Sequence, residues 1–185
     1  MTSPDFSTVA NNLAEDLDRA FTAYVRATSD GIYSGSLRML GDRSDAEDVM
    51  QETYVRAYAA LRGYSPERIR TLQVRGWTWT IAINLCRNRL RSRARKPTNP
   101  LGEMDLPASG STTEESALSE IGTVLRTALL DLPFPQRAAV VMRHVLDMTY
   151  EEVAITLGRP VGTVKADVHR GLARLHKEYP KEIAE

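Results

Sequence analysis

The chain has one cysteine, Cys86, and three histidines among its 185 residues. One thiol excludes an internal disulfide, and free cysteines are usually packed rather than reactive. His144, His169 and His176 form no metal-ligand spacing with Cys86, so neither a metal site nor a cofactor is expected. No run approaches the roughly 18 apolar residues that a membrane helix needs. The start, MTSPDFSTVANNLAEDLDRAF, also lacks a basic segment followed by an apolar core, so the expectation is a cytoplasmic protein without membrane insertion. There is no paired nucleophile and base and no phosphate-cradling glycine loop. No catalytic residue is therefore expected, and the chain does not read as an enzyme.

Hydrophobic residues make up 42% of the sequence, enough for packed cores in one large or two small domains. The formal net charge of zero hides a segregation. Residues 1–60 carry ten acids against five cations, and residues 61–97 carry ten cations against one acid. Residues 98–122 then carry five acids and no cation. Local charge, not net charge, sets a nucleic-acid surface.

Every strong periodicity is helical. Phe21 to Leu40 is a moderately apolar helical stretch interrupted by Gly31 and Gly35. Asp42 to Arg62 is a clearer helix, with Ser44 as its candidate cap and Ala46, Val49, Met50, Thr53, Ala57, Ala60 and Leu61 as its inward stripe. After a loop, GYSPERIRTLQVRG, a helix is predicted from near Gly76 to Pro97, with Trp77, Ile81 and Leu85 on one face. Residues 98–116, TNPLGEMDLPASGSTTEES, read as a flexible acidic linker. Extended, it reaches about 60 Å, against roughly 34 Å for one turn of duplex DNA. The fold class is therefore all-α, with a helical domain over 1–97, the linker over 98–116 and a four-helix domain over 117–185.

The second domain carries the sharpest local pattern. Thr149 followed by Glu152 is a capping box, Gly158 suits a left-handed helix end, and Pro160 suits a first helical residue. Val161, Val164, Val168, Leu172 and Leu175 then form an apolar stripe, and small Ala154 lets two helices approach: a helix-turn-helix. The opposite face of the second helix shows Thr163, Lys165, Ala166, His169, Arg170 and Arg174. It is either a solvated face or a DNA-reading one, where such side chains meet phosphates and base edges.

Two further surfaces stand out. Arg87, Arg89, Arg91, Arg93, Arg95 and Lys96 put six cations into ten residues, with Asn84 and Asn88 able to add hydrogen bonds. Phosphates would relieve their mutual repulsion, and the alternative is a solvated, fraying helix end. Trp77 reads as core, whereas Trp79, on another face, is either core or a platform for unpaired bases. On the preceding helix, Asp45, Glu47, Asp48, Gln51 and Glu52 make a negative face, either solvated or a docking surface for a basic partner.

Taken together, DAEDVMQETYVRAYAAL, GWTWTIAINLCRNRLRSRARK and LPFPQRAAVVMRHVLDMTYEEVAITLGRPVGTVKADVHRGLARL resemble, in order and over nearly the full length, the bacterial extracytoplasmic-function (ECF) sigma factors. The resemblance implies a subunit that binds RNA polymerase core, through its β and β′ subunits, recognises promoter DNA and initiates transcription. It implies that Asp45, Asp48, Gln51 and Glu52 dock on a β′ coiled coil, and that Gly63 to Arg75 holds a flipped base. Trp79, Asn84, Arg87, Asn88 and Arg91 would act at the minus-ten element and in melting, and Thr163, Lys165, His169, Arg170 and Arg174 at minus thirty-five. It further implies an anti-sigma factor as partner. Asp167 and Leu172 depart from the family, which often has arginine there; Ala166 replaces a frequent serine, and Thr78 a usual leucine. A rival reading is a helix-turn-helix transcriptional regulator that binds DNA without polymerase, because GTVKADVHRGLARL also resembles the recognition helix of quorum-sensing-type response regulators. That class lacks the first domain.

Overall fold

The computed structural model describes residues 5–95 and 124–178, and all regular structure among them is helical. The proposed linker, and Lys96 with it, lie outside the described residues. Five helices form the first unit: α1 (Phe6–Glu15), α2 (Leu17–Leu40), α3 (Arg43–Leu61), α4 (Pro66–Arg70) and α5 (Val74–Arg95). Four form the second: α6 (124–131), α7 (Phe134–His144), α8 (Tyr150–Leu157) and α9 (Val161–Glu178).

Short polar side chains start most of these helices by accepting N–H groups that the first turn leaves unpaired. Asp5 opens α1, Asp16 opens α2 and Ser65, followed by Pro66, opens α4. The α3 cap is Asp42, which accepts from the Asp45 amide at 2.8 Å, rather than Ser44, which lies inside the helix. The stretch expected to be a loop before α5 thus contains α4, and α5 itself begins two residues ahead of Gly76. Asp42 can cap α3 because Gly41, at φ 72°, turns the chain left-handed at the end of α2, which a residue without a Cβ does with little strain.

The core of the first unit lies between α2, α3 and α5. Val49, Thr53, Ala57 and Leu61 of α3 are buried as the stripe predicted, while Met50 and Ala60 sit at its edge. On α5 the buried face runs through Val74, Thr78, Trp79, Ala82, Ile83 and Cys86. Trp77, expected in the core, and Ile81 are only half-buried, whereas Trp79 takes the core place that was one of its two readings. The cause is on α2: a Cβ on Gly35 would stand 2.4 Å from Trp79 Cη2, so the missing side chain makes the slot that takes the indole. Buried Thr78 meets the Tyr24 hydroxyl at 2.5 Å, and Thr28 meets that of Tyr54 at 2.7 Å. Burial pushes the Tyr24 hydroxyl up to about 12 and the Cys86 thiol up to about 11.

In the second unit the capping box forms as read: Thr149 Oγ1 accepts from the Glu152 amide, and Glu152 accepts from the Thr149 amide at 2.7 Å. Gly158 ends α8 at φ 63°. Pro160 lies just ahead of α9, its carbonyl accepting from Thr163 and Val164. Val164, Val168 and Leu175 of the expected stripe are buried, with Val161 and Leu172 at its margin.

The two units are apposed, α7 against α2 and α8 against α5. Arginines hold the join. Buried Arg137 donates to the carbonyls of Met39, Leu130 and Leu132, and Arg126 donates to that of Gly41. Arg93, from the first unit, takes the Leu40 carbonyl at 3.0 Å. Three cations thus close the C-terminal end of α2, where unpaired carbonyls concentrate partial negative charge. On the α5 side, Arg75 donates to the Leu146 carbonyl and Thr156 Oγ1 to that of Gly76 at 3.4 Å.

Candidate nucleic-acid interface

The acidic face of α3 and the basic half of α5 lie side by side and neutralise each other in part. Arg89 bridges Asp45 at 3.1 Å and Asp48 at 2.9 Å. Arg93 reaches Asp45 at 2.5 Å and Asp42 at 3.5 Å. Asp45 is consequently drawn inward, its side chain 17% exposed, while Asp48 and Gln51 remain exposed and Glu52 pairs with Arg56 at 2.7 Å. Surface pairs of this kind add little stability singly, but as a network they fix the relative rotation of two helices.

Beside the carboxylates lies a groove lined by Gln51, Glu52, Val55, Leu85, Asn88 and Arg89. Val55 is 63% exposed. It escaped the sequence reading, although an isolated valine among charged positions, off the inward stripe, is the signal that would have found it. An apolar side chain rimmed by charges suits a protein contact better than a nucleic-acid one.

Of the residues assigned to minus-ten recognition, Asn84, Asn88 and Arg91 are exposed on α5. Arg87 is half-buried, donating to Asn84 at 3.2 Å and standing 5.7 Å from the Phe134 ring of the second unit. Trp79 is 4% exposed and cannot serve as a base platform without leaving the core. The accessible indole is Trp77. It packs against Tyr64 at 6.1 Å between ring centroids, and the Arg68 guanidinium lies 3.6 Å over that tyrosine. Tyr64 and Arg68 lie within the Gly63 to Arg75 segment, to which base capture was assigned, and Trp77 lies two residues beyond it.

On α9, Lys165, His169, Arg170 and Arg174 are exposed and Thr163 half-exposed, all clear of the buried stripe. Lys165 leans over the Tyr150 ring at 5.5 Å. Arg170, one of the residues expected to meet DNA, donates to Asp167 Oδ1 at 2.7 Å while its side chain stays 57% exposed. No group of three or more potential metal-binding side chains occurs among the described residues.

Both helical units have counterparts among known families. The sigma-70 region 2 family matches residues 24–96, and the sigma-70 region 4 family matches residues 123–175. The chain is 34% identical over 164 residues to the ECF RNA polymerase sigma factor SigE of Mycolicibacterium smegmatis, covering 87% of this chain and 62% of that protein. It is 30% identical over 171 residues to the ECF RNA polymerase sigma factor SigW of Bacillus subtilis, covering 86% of this chain and 88% of that protein. The sigma factor RpoE of Bartonella quintana, solved with the anti-sigma factor NepR, shares the fold with a TM-score of 0.66 at 19% identity, covering 85% of this chain and 95% of that one. A stand-alone helix-turn-helix regulator has no counterpart of the region 2 match, and that rival reading falls. The chain belongs to the ECF class of the sigma-70 family of RNA polymerase sigma factors.

Proposed function

We propose that the α3 face is where this chain docks on RNA polymerase core, through Asp48, Gln51 and Glu52, with Asp45 orienting the arginines beside it and Val55 supplying the apolar contact. The β and β′ subunits are the partners. Promoter DNA then meets α5 through Asn84, Arg87, Asn88 and Arg91, and α9 through Thr163, Lys165, His169, Arg170 and Arg174. Trp77 takes the stacking role first given to Trp79. The units are 1–97 and 117–185, the linker 98–116 sets their reach, and the protein works in the cytoplasm by recognition, without catalysis. An anti-sigma factor is proposed as a further partner, as NepR is of RpoE.

The observation that carries this reading is the adjacency of opposite charges on neighbouring helices. The basic half of α5, with Arg87, Arg89, Arg91, Arg93 and Arg95, lies against an acidic face that would repel DNA and that retains an exposed valine. One face serves protein and the other nucleic acid, which is what a promoter-specificity subunit requires.

The closed apposition of the two units sharpens the expectation. With Phe134 over Arg87 and α8 against the start of α5, the free protein offers only part of its DNA surface. Docking on core would hold the units apart at the spacing of two promoter elements, and each would then raise the effective concentration of the other. The test is a gel shift with permanganate footprinting on a cognate promoter at physiological salt, using protein alone, core alone and both. Weak binding alone with specific binding and strand opening on adding core is the expected result. Tight specific binding by the protein alone, without opening when core is added, would defeat it.

A further inference from the structure

We propose that Asp167 is a positioning residue for promoter reading, which presets Arg159 and Arg170 as a fixed pair of guanidinium forks at the entry to the recognition helix. This deepens the assignment of α9 to upstream promoter DNA and rests on it.

Asp167 is 4% exposed, a carboxylate on the buried side of α9 between Val164 and Val168. A buried carboxylate is tolerated only when it is paired and hydrogen-bonded. Here both oxygens are used: Oδ2 accepts from Arg159 Nη1, and Oδ1 accepts from Arg170 Nη2 at 2.7 Å. Arg159 follows the left-handed Gly158 in the turn, and Arg170 stands one helical turn beyond Asp167. The carboxylate thus ties the turn of the helix-turn-helix to the middle of its second helix.

The cations are not buried with it. The Arg159 side chain is 37% exposed and that of Arg170 57%. A guanidinium has five N–H donors, and each spends one on Asp167, so both keep donors directed to solvent. One acid against two cations also leaves a net positive charge at the site. A planar fork held in place matches a phosphate or a guanine edge in two parallel hydrogen bonds, and its rotamer freedom is lost on folding rather than on binding. Arg159 thereby joins Arg170 as a DNA contact, and Asp167 acts through both without touching DNA.

A purely stabilising pair and a positioning pair differ in what they do to sequence preference. The experiment uses holoenzyme assembled from the full chain and core, selecting from a duplex library randomised across the upstream promoter element. Binding to random-sequence duplex is measured in parallel as a function of salt. In Asp167→Asn the site gains one net positive charge, so random-duplex affinity should hold or rise, with the salt slope steeper by about one. Its preference for selected over random duplex should fall about tenfold. Asp167→Glu, which keeps the carboxylate, should recover part of the preference. Arg159→Lys and Arg170→Lys keep charge but lose the fork, and each should lower binding to selected duplex by a larger factor than binding to random duplex, so that preference falls. If Asp167→Asn unfolds at the assay temperature, these two lysine variants decide alone. Wild-type preference in folded Asp167→Asn, or in both lysine variants, would overturn the positioning role while the α9 assignment stands. Absence of any upstream preference in wild-type holoenzyme would overturn the assignment itself and this proposal with it.

Discussion

The Arg137 guanidinium donates to the carbonyl of Met39, so the last turn of α2 in the first unit is closed by a buried side chain of the second. Replacing Arg137 with Met keeps length but leaves the Met39, Leu130 and Leu132 carbonyls without that donor, at a cost of roughly 2–3 kcal/mol. Urea unfolding should show the loss. Fluorescence transfer between dyes on the two units should fall as they part, and unchanged transfer would mean that arginine capping does not hold the join.

A milder separation is expected from Arg126→Ala, which removes only the donor to Gly41. Each unit should keep its fold, and free protein should gain affinity for promoter DNA as Arg87 emerges from under Phe134. A gel shift without core reads this directly. Equal binding by wild type and variant would show that apposition does not limit access.

For the docking surface, Asp48→Ala with Glu52→Ala should weaken core binding about tenfold while helicity and stability stay within about 0.5 kcal/mol, since both side chains are substantially exposed. Val55→Asp should do as much or more, by placing a charge in the apolar centre of the contact. Co-purification with core at wild-type strength in both variants would remove α3 as the docking helix.

Gly35→Ala tests the indole slot. The added Cβ falls 2.4 Å from Trp79, a rigid ring in a packed core, so either the ring or α2 must shift. A loss of about 1–3 kcal/mol is expected, with a red-shifted tryptophan emission as Trp79 becomes wetter. An unaltered melting temperature and spectrum would contradict the packing.

Alkali should unfold the protein over a definable range. Burial raises the Cys86 thiol from 9.0 to about 11 and the Tyr24 hydroxyl from 10.0 to about 12, while Tyr54 is raised by burial as well. These groups hold their protons more tightly when folded, so their stabilisation is whole below pH 9. It declines as the unfolded chain ionises above pH 9 to 10, and the part due to Cys86 and Tyr24 is gone once pH passes 12. The effect is on the order of 3 kcal/mol for each of Cys86 and Tyr24. Circular dichroism and tyrosinate absorbance should change together, and smooth tyrosine titration with helicity retained at pH 12 would count against it.

What could be read from the sequence was what is decided locally. The Thr149 and Glu152 capping box, the left-handed Gly158 and the α9 stripe each depend on residues within one or two turns, and all three form. The signal for α4 was equally local: Ser65 as cap, Pro66 at the first helical position and Glu67 in the first turn, hidden by reading the segment as connecting chain. Ser44 was the expected cap of α3, and the left-handed Gly41 decides for Asp42 instead by ending α2 directly before it. Trp77 and Trp79 were not separable in this way. Helix α5 packs against α2, α3 and α8, so its buried surface is wider than one stripe, and the slot that selects Trp79 is made by a glycine 44 positions earlier. Pairing of Arg89 and Arg93 with Asp42, Asp45 and Asp48 was equally out of reach, because charge counts show that opposite signs exist and not which helices bring them together.

The arginine closure of α2 also imposes an order in time. Arg126 and Arg137 follow their acceptors Gly41 and Met39 by 85 and 98 positions, so on the ribosome the end of α2 is made long before its caps. At translation rates of about 5–20 residues per second, that interval is on the order of 5–20 s. The nascent first unit spends those seconds with its helix end uncovered, and a partner arriving during synthesis meets α2 and α5 before the second unit exists to compete for them.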